Sequence, residues 1–157
     1  AALRGLVFAG ATSAGEALSA FETTWREDAL VMDKWFAIQA ATPGAGTVDR
    51  VEALLRHPGF TLRNPNKVRA VLGVFAMSNP TAFHAADGSG YRLLADQVIE
   101  LDALNPQVAA RIVGAFNPWT LSSYWFFKLR STLAGIPAFC AVATTFSSQN
   151  CGSVFSL

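Results

Sequence analysis

Three residues of the segment 83–91, FHAADGSGY, carry side chains that could form a hydrolytic site. His84, Asp87 and Ser89 are the residue types of a Ser-His-Asp triad, in which histidine takes the serine proton and the carboxylate orients the histidine. Such triads are assembled by folding, so spacing along the chain neither supports nor excludes one. No strand–turn–helix nucleophile elbow is predicted around Ser89. We therefore predict a glycine turn in which Asp87 or Ser89 caps the following helix.

Two other kinds of site can be weighed from spacing. Residues 10–15, GATSAG, have the glycine spacing of a phosphate-binding loop, but Glu16 and Ala17 stand where that loop needs a lysine and a hydroxyl. We predict a helix–helix connection there. The sequence contains no H-E-x-x-H, and its two cysteines, Cys140 and Cys151, lie far from both histidines. These patterns predict neither a catalytic group nor a metal site within the chain.

Composition narrows the class of protein. The chain has 157 residues, of which 52% are apolar and 15% charged, and this balance favours a globular domain with a real core. A formal charge of +1 lacks the basic excess of a nucleic-acid binder. The longest uncharged apolar run, residues 133–146, is shorter than the roughly 20 residues of a membrane span. We expect no nucleic-acid or membrane partner.

The first residues of the chain and its cysteines indicate what kind of protein the chain comes from. It begins at Ala1 without a methionine, and no leader pattern of basic then apolar residues is visible. Two cysteines imply no disulfide framework. We expect a piece of a longer, cytoplasmic protein.

Helix-starting signals recur along the chain. Asn-Pro pairs at positions 64–65, 79–80 and 105–106 predict helices capped by the asparagine, with proline in the first turn. After the first pair, one helical stripe is expected to be buried and to exclude Lys67, Arg69 and Ala70; its members are Val68, Val71, Leu72 and Phe75. Another stripe follows in residues 92–101, and it comprises Leu93, Leu94, Val98 and Leu101.

The first third of the chain predicts further helices. Residues 16–25 are expected to bury Leu18, Phe21 and Trp25. Asp28 should cap the next helix, which is apolar nearly all round and therefore enclosed by neighbours. Its charged residues Asp33 and Lys34 are adjacent and so need separate partners. Thr47 is predicted to cap the helix after that.

Short helices separated by short turns, without two-residue alternation, predict an all-α fold over residues 3–119. Antiparallel helix pairs stacked side by side, an α-solenoid of HEAT or armadillo type, are the expected architecture. Residues 120–157 differ, because they have weak helical periodicity, and residues 103–157 contain no Asp or Glu. We expect this atypical tail to pack poorly or to be partly disordered. A shifted reading frame near Trp119 is our hypothesis for its origin.

Three segments together resemble a known family. Residues 28–40 (DALVMDKWFAIQA), 57–91 (HPGFTLRNPNKVRAVLGVFAMSNPTAFHAADGSGY) and 104–111 (LNPQVAAR) are similar to the C-terminal helical domain of bacterial-type aminopeptidase N. This family comprises zinc-dependent exopeptidases. The resemblance covers about residues 3–119 and implies a stack of helix pairs that caps a catalytic domain and encloses a substrate cavity. It also implies that zinc and its H-E-x-x-H site belong to a part of the parent enzyme upstream of these residues.

The resemblance singles out two arginines. Arg69, in NPNKVR, and Arg111, in NPQVAAR, match family arginines that line the cavity. A guanidinium facing a peptide carboxylate or carbonyl is a sensible use of its paired donors; ion pairs on the surface or between helices are the alternative. The implied partners are the parent's own catalytic domain and, through it, a peptide substrate. We expect the chain alone to be inactive. The competing hypothesis is a stand-alone helical scaffold that binds a protein partner.

Overall fold

The computed structural model describes residues 2–44 and 46–119, with side chains described as far as Phe116. Within these residues the backbone is helical and contains no strand, which confirms the predicted all-α class. The predicted atypical tail, 120–157, lies outside the described residues. The helices are α1 (Ala2–Phe8), α2 (Ala14–Trp25), α3 (Ala29–Ala41), α4 (Thr47–Leu55), α5 (Pro65–Val68), a π-helical segment (Arg69–Gly73), α6 (Val74–Ser78), α7 (Pro80–Phe83), α8 (Ser89–Leu104), α9 (Pro106–Val113) and a 3-10 helix (Gly114–Trp119).

The chain forms two compact units, Ala1–Leu94 and Ala95–Leu157. In the first unit, α3 is the central helix, since α1, α2, α4, α5, α6 and the π segment all contact it. This surrounding explains why α3 is apolar on nearly every face, as the sequence predicts. The indole Nε1 of Trp35, in α3, donates a 3.0 Å hydrogen bond to the Leu18 carbonyl of α2. This bond satisfies the one polar atom of the buried Trp35 ring.

Residues 65–78 form a continuous helix that runs parallel to α3. Lys67, near its start, reaches Asp33 and the Ala29 carbonyl near the start of α3, whereas Asn79, just past its end, reaches the carbonyls that end α3. Equivalent helices of successive repeats run parallel in this way in a solenoid of stacked helix pairs. The predicted stripe of Val68, Val71, Leu72 and Phe75 is fully buried. Each such side chain contributes about 1.5–3 kcal/mol through burial.

The capping predictions divide into confirmed and wrong. Asp28 caps α3 by accepting from the backbone N–H groups of residues 30 and 31, Asn64 accepts from Asn66 N, and Asn105 accepts from Val108 N. Asn79 is not a side-chain cap of α7, because its amide is used elsewhere. The residue that precedes α4 is Gly46, with φ +74°, a left-handed conformation that glycine adopts without steric cost.

Two further sequence predictions in the first unit are wrong. Thr47 is the first residue of α4 rather than its cap, and its hydroxyl donates to the carbonyls of Thr42 and Gly44, at 3.2 and 2.8 Å. Helix α2 has no fully buried residue, and Trp25 remains 44% exposed. An amphipathic stripe therefore located the helix correctly but overstated its burial, because α2 packs against α1 and α3 only along part of its surface.

In the second unit, the described residues comprise the later part of α8, α9 and the 3-10 helix. Val98 and Leu101 of α8 are fully buried, as predicted, and Ile112 of α9 is buried as well. Gly114 ends α9, and its backbone N–H donates to the carbonyls of residues 110 and 112.

Candidate functional site

The structure separates the residue types that could have formed a triad. Both the backbone N–H and the hydroxyl of Ser89 donate to Asp87 Oδ1, at 3.0 and 2.8 Å. His84 Nδ1 instead pairs with the Tyr91 hydroxyl at 3.1 Å. The Ser89 proton therefore points at the carboxylate and not at an imidazole, so this arrangement is no nucleophile–base relay. Asp87 closes the turn before α8, as the capping interpretation predicts.

This turn is a structural joint between α7 and α8. An atom at the Cβ position of Gly90 would lie 2.5 Å from the Phe83 carbonyl oxygen and 2.8 Å from that of Ala82. Only glycine allows the two backbones so close. The Tyr91 ring packs edge-on against Phe83, with centroids 5.1 Å apart, and burial raises the pKa of Tyr91 to about 12.

Two further pKa shifts belong to the same joint. Burial lowers the pKa of His84, since desolvation disfavours its charged form. The pKa of Asp87 is also lowered, chiefly by the hydrogen bond from the Ser89 backbone N–H and then by the Ser89 hydroxyl. Both shifts follow from the folded turn, and at neutral pH they favour a neutral His84 imidazole and an ionised Asp87 carboxylate.

Arg69 is the first residue of the π segment and is exposed to solvent. Its Nη2 donates to Asn66 Oδ1 at 3.1 Å, and its Nε donates to the Pro65 carbonyl at 3.4 Å. Among the described residues no carboxylate lies within ion-pair distance of this guanidinium. π-helical turns are rare and are frequent at functional sites, so this position is a sensible place for a ligand-binding side chain.

A largely buried ion pair joins Lys67, two residues before Arg69 in sequence, to Asp33 of α3. Lys67 Nζ is 2.9 Å from Asp33 Oδ1, 3.4 Å from the Ala29 carbonyl and 4.9 Å from the centre of the Phe36 ring. The expectation that Lys67 lies off the buried face is therefore wrong. The sequence held a signal for this pair, because Asp33 lies in a mostly apolar, enclosed helix and a buried carboxylate needs a cation. Periodicity alone could not say which basic residue supplies it.

Sequence reasoning did not identify Asn79 as a residue that hydrogen-bonds to another helix. It is 1% exposed, and its Nδ2 donates to the carbonyls of Ala40 and Thr42, at 3.3 and 3.0 Å. The Thr42 carbonyl also accepts from Arg50 Nη1 at 3.1 Å. These bonds satisfy carbonyls that the last turn of α3 leaves without intrahelical partners. Asn79 therefore acts at the end of α3 and not at the start of α7.

Arg111 is exposed in the last turn of α9, where a positive charge complements the helix dipole. It belongs to the second unit, and Arg69 belongs to the first. The two arginines share three features, namely an exposed side chain, a helix begun by Asn-Pro, and a capping asparagine bonded to a backbone N–H.

The described residues offer no donor set for zinc. Across residues 2–44 and 46–119, no three His, Cys, Asp or Glu side chains are grouped so that they could hold a metal ion. The residues present therefore do not fit a zinc site, and no step of chemistry through zinc is derived for them.

Comparison with known proteins finds relatives of this chain that are named aminopeptidase N. The chain is 48% identical over 93 residues to aminopeptidase N of Escherichia coli, and 43% identical over 114 residues to aminopeptidase N of Caulobacter vibrioides. These alignments cover 59% and 73% of the chain but only 11% and 13% of the relatives. The chain thus spans about an eighth of the length of the curated relatives it matches.

A solved structure and a family match agree on the fold. The crystal structure of Legionella pneumophila aminopeptidase A in complex with aspartic acid superposes with a TM-score of 0.71 and 40% identity, over 75% of this chain and 14% of that one. The family described as a domain of unknown function (DUF3458_C) with ARM repeats matches residues 1–124. The predicted α-solenoid and the resemblance to the helical domain of aminopeptidase N are thereby confirmed. The chain belongs to the DUF3458_C family of ARM-repeat domains.

Proposed function

We propose that this chain is the C-terminal helical-repeat domain of a zinc-dependent aminopeptidase that releases N-terminal amino acids from peptides. The observation that carries the proposal is the 43–49% identity to three proteins named aminopeptidase N, from Escherichia coli, Caulobacter vibrioides and Haemophilus influenzae. In this proposal the domain caps the catalytic domain of its own parent chain and lines the cavity that receives the substrate.

Arg69 and Arg111 are the proposed cavity residues. Arg69 supports this role because it is exposed and lacks a carboxylate partner among the described residues, in contrast to Arg56, which is 2.7 Å from Glu52. Arg111 is exposed too. A guanidinium without a carboxylate partner can attract the negative end of a peptide and orient it with paired N–H donors.

The residues present decide which roles this proposal assigns to the catalytic domain and which to the helical domain. The parent's catalytic domain supplies the zinc site and the recognition of the free amino group, and this domain supplies enclosure and the two arginines. The 157-residue chain alone is therefore expected to show no peptidase activity, with or without added zinc. No helix among the described residues is long and apolar enough to cross a membrane. A cytoplasmic location is part of the proposal, and fractionation of cells with an antibody to this domain would test it.

The central experiment uses the full-length protein that contains these residues. Arg69→Ala and Arg111→Ala should each lower kcat/KM for a tripeptide about 10- to 100-fold, because a charge-assisted hydrogen bond contributes roughly 1.5–3 kcal/mol. Arg63→Ala is the matched control, since Arg63 is a nearby exposed arginine that no resemblance places at the cavity. It should change kcat/KM less than about twofold.

Three outcomes would contradict the proposal. The first is a full-length protein that lacks aminopeptidase activity, which would favour a stand-alone scaffold that binds a protein partner. The second is zinc-dependent turnover by the 157-residue chain itself. The third is an equal response to the Arg63 and Arg69 substitutions, which would remove the cavity role of Arg69 while leaving the assignment to an aminopeptidase intact.

A further inference from the structure

One edge of the Arg69 guanidinium forms hydrogen bonds within its own helix, and the other edge forms none with the described residues. A guanidinium carries five N–H groups in one plane, with Nε–H and one Nη2–H along its side edge and Nη1–H and the second Nη2–H along its end edge. In the structure, Nε donates to the Pro65 carbonyl and Nη2 donates to Asn66 Oδ1. The helix itself therefore occupies the side edge. The end edge has no hydrogen-bond partner among the described residues.

The groups that occupy the side edge are themselves held in place. Asn64 Oδ1 accepts from the Asn66 backbone N–H at 2.9 Å, which anchors the first turn of α5. The Arg69 backbone N–H in turn donates to the carbonyls of Asn66 and Pro65. Pro65 adds a fixed backbone φ in the same turn. The Asn66 amide is thus presented from a well-fixed backbone, and the arginine rotamer that it selects is defined in advance of any ligand.

The surrounding charges leave Arg69 as an un-neutralised cation. Its neighbour Lys67 is buried and paired with Asp33, so that charge is balanced inside the unit. Arg69 has no such partner among the described residues. A ligand that approaches this surface therefore meets one exposed guanidinium, presented by its end edge.

We propose that Asn66 is a positioning residue that turns the end edge of Arg69 toward the carboxylate of a bound peptide. This inference rests on the proposed function, in which Arg69 faces the substrate cavity. Two parallel N–H donors match two coplanar oxygens, so a free carboxylate fills the edge and a carboxamide, with one oxygen, fills only half of it. Asn66 contributes by pre-organisation, because it removes rotamers that the arginine would otherwise lose on binding.

The test compares two substrates in the full-length protein, trialanine with a free carboxylate and trialanine amide. Asn66→Ala keeps the backbone N–H that donates to the capping Asn64 Oδ1 and removes only the side-chain acceptor. We expect it to raise KM for trialanine about three- to tenfold with kcat unchanged, since one net hydrogen bond corresponds to roughly that factor. KM for the amide should stay within about twofold. Arg69→Lys, which keeps the charge without the fork, should reduce the same preference for the acid.

The outcomes separate this inference from the function on which it rests. An altered acid-to-amide preference in both Asn66→Ala and Arg69→Lys supports the positioning role. If Arg69→Ala alters that preference and Asn66→Ala does not, the positioning role is wrong and the cavity role of Arg69 stands. An equal rise in KM for both substrates in Asn66→Ala indicates a merely structural effect and overturns the inference. No change in any variant overturns both ideas.

Discussion

Gly90→Ala tests the close approach of α7 to the start of α8. The added Cβ would lie 2.5 Å from the Phe83 carbonyl oxygen, 2.8 Å from the Ala82 carbonyl oxygen and 2.8 Å from the Phe83 Cα. All three atoms belong to the backbone, so no side chain can rotate away to relieve the contact. Relief requires a shift of the short helix α7, which also carries the buried Phe83 ring.

The magnitude follows from two opposing effects. Alanine favours a helix over glycine by about 1 kcal/mol. Overpacking costs typically 1–3 kcal/mol, and a clash between two backbones belongs near the top of that range. The net expectation is a loss of about 2 kcal/mol in the free energy of unfolding, which lowers the Tm by about 4–8 °C for a chain of this length. Urea unfolding followed by far-ultraviolet circular dichroism measures the free energy of unfolding, and a thermal melt followed by the same signal measures the Tm.

Gly15→Ala is the matched control for this effect. Gly15 also lies in a helix, α2, but an atom at its Cβ position meets nothing within 4 Å. This substitution should therefore show the propensity gain alone and stabilise the chain by about 0.5–1 kcal/mol. If Gly90→Ala were as stabilising as Gly15→Ala, the close packing of α7 on α8 would be refuted.

Three further substitutions probe the polar contacts. Lys67→Met should lower the free energy of unfolding by about 2 kcal/mol, which is less than for a fully buried pair because Asp33 is 18% exposed. The double variant Lys67→Met with Asp33→Leu should recover most of this loss. No recovery in the double variant would contradict the pairing. Asn79→Ala should cost about 2 kcal/mol through two lost hydrogen bonds, whereas Ser78→Ala, at an exposed neighbour, should change stability by less than ~0.5 kcal/mol. For His84, whose folded pKa lies below its ordinary 6.5, the unfolded chain binds the proton more readily, so stability is complete above pH 6.5 and falls as the pH drops below it. His84→Gln should flatten this part of the profile in urea titrations from pH 7.5 to 5.5, and parallel profiles for the two proteins would refute it.

Local signals predicted the helices well, for a physical reason. Capping by Asp28, Asn64 and Asn105 involves atoms two or three residues apart, so the sequence contains the whole interaction. The buried stripe of residues 68–75 likewise follows from a period of 3.6 residues. The resemblance to the helical domain of aminopeptidase N also depends on sequence alone, and the comparisons confirm it.

The site was less predictable, although its contacts join residues only two to seven positions apart, because residue types and spacing do not say which neighbour a side chain turns toward. His84, Asp87 and Ser89 have the residue types of a triad, yet the folded turn directs the serine to the aspartate. Arg69 was singled out only through the family resemblance. Its guanidinium donates to Asn66 Oδ1, and that contact became visible only with side-chain geometry.

By itself, the sequence determined the helical class, most helix starts and the buried stripes of residues 68–75 and 93–101, because these depend on interactions within one or two helical turns. Tertiary structure decided which polar groups meet across helices, as with Lys67 and Asp33, and which backbones touch, as at Gly90. It also showed that the Asn79 side chain binds the end of α3 and does not cap α7. The two carbonyls that it reaches lie 37 and 39 residues away in sequence. A buried polar group takes whichever partner the packing brings within hydrogen-bond distance, and local periodicity does not contain that choice.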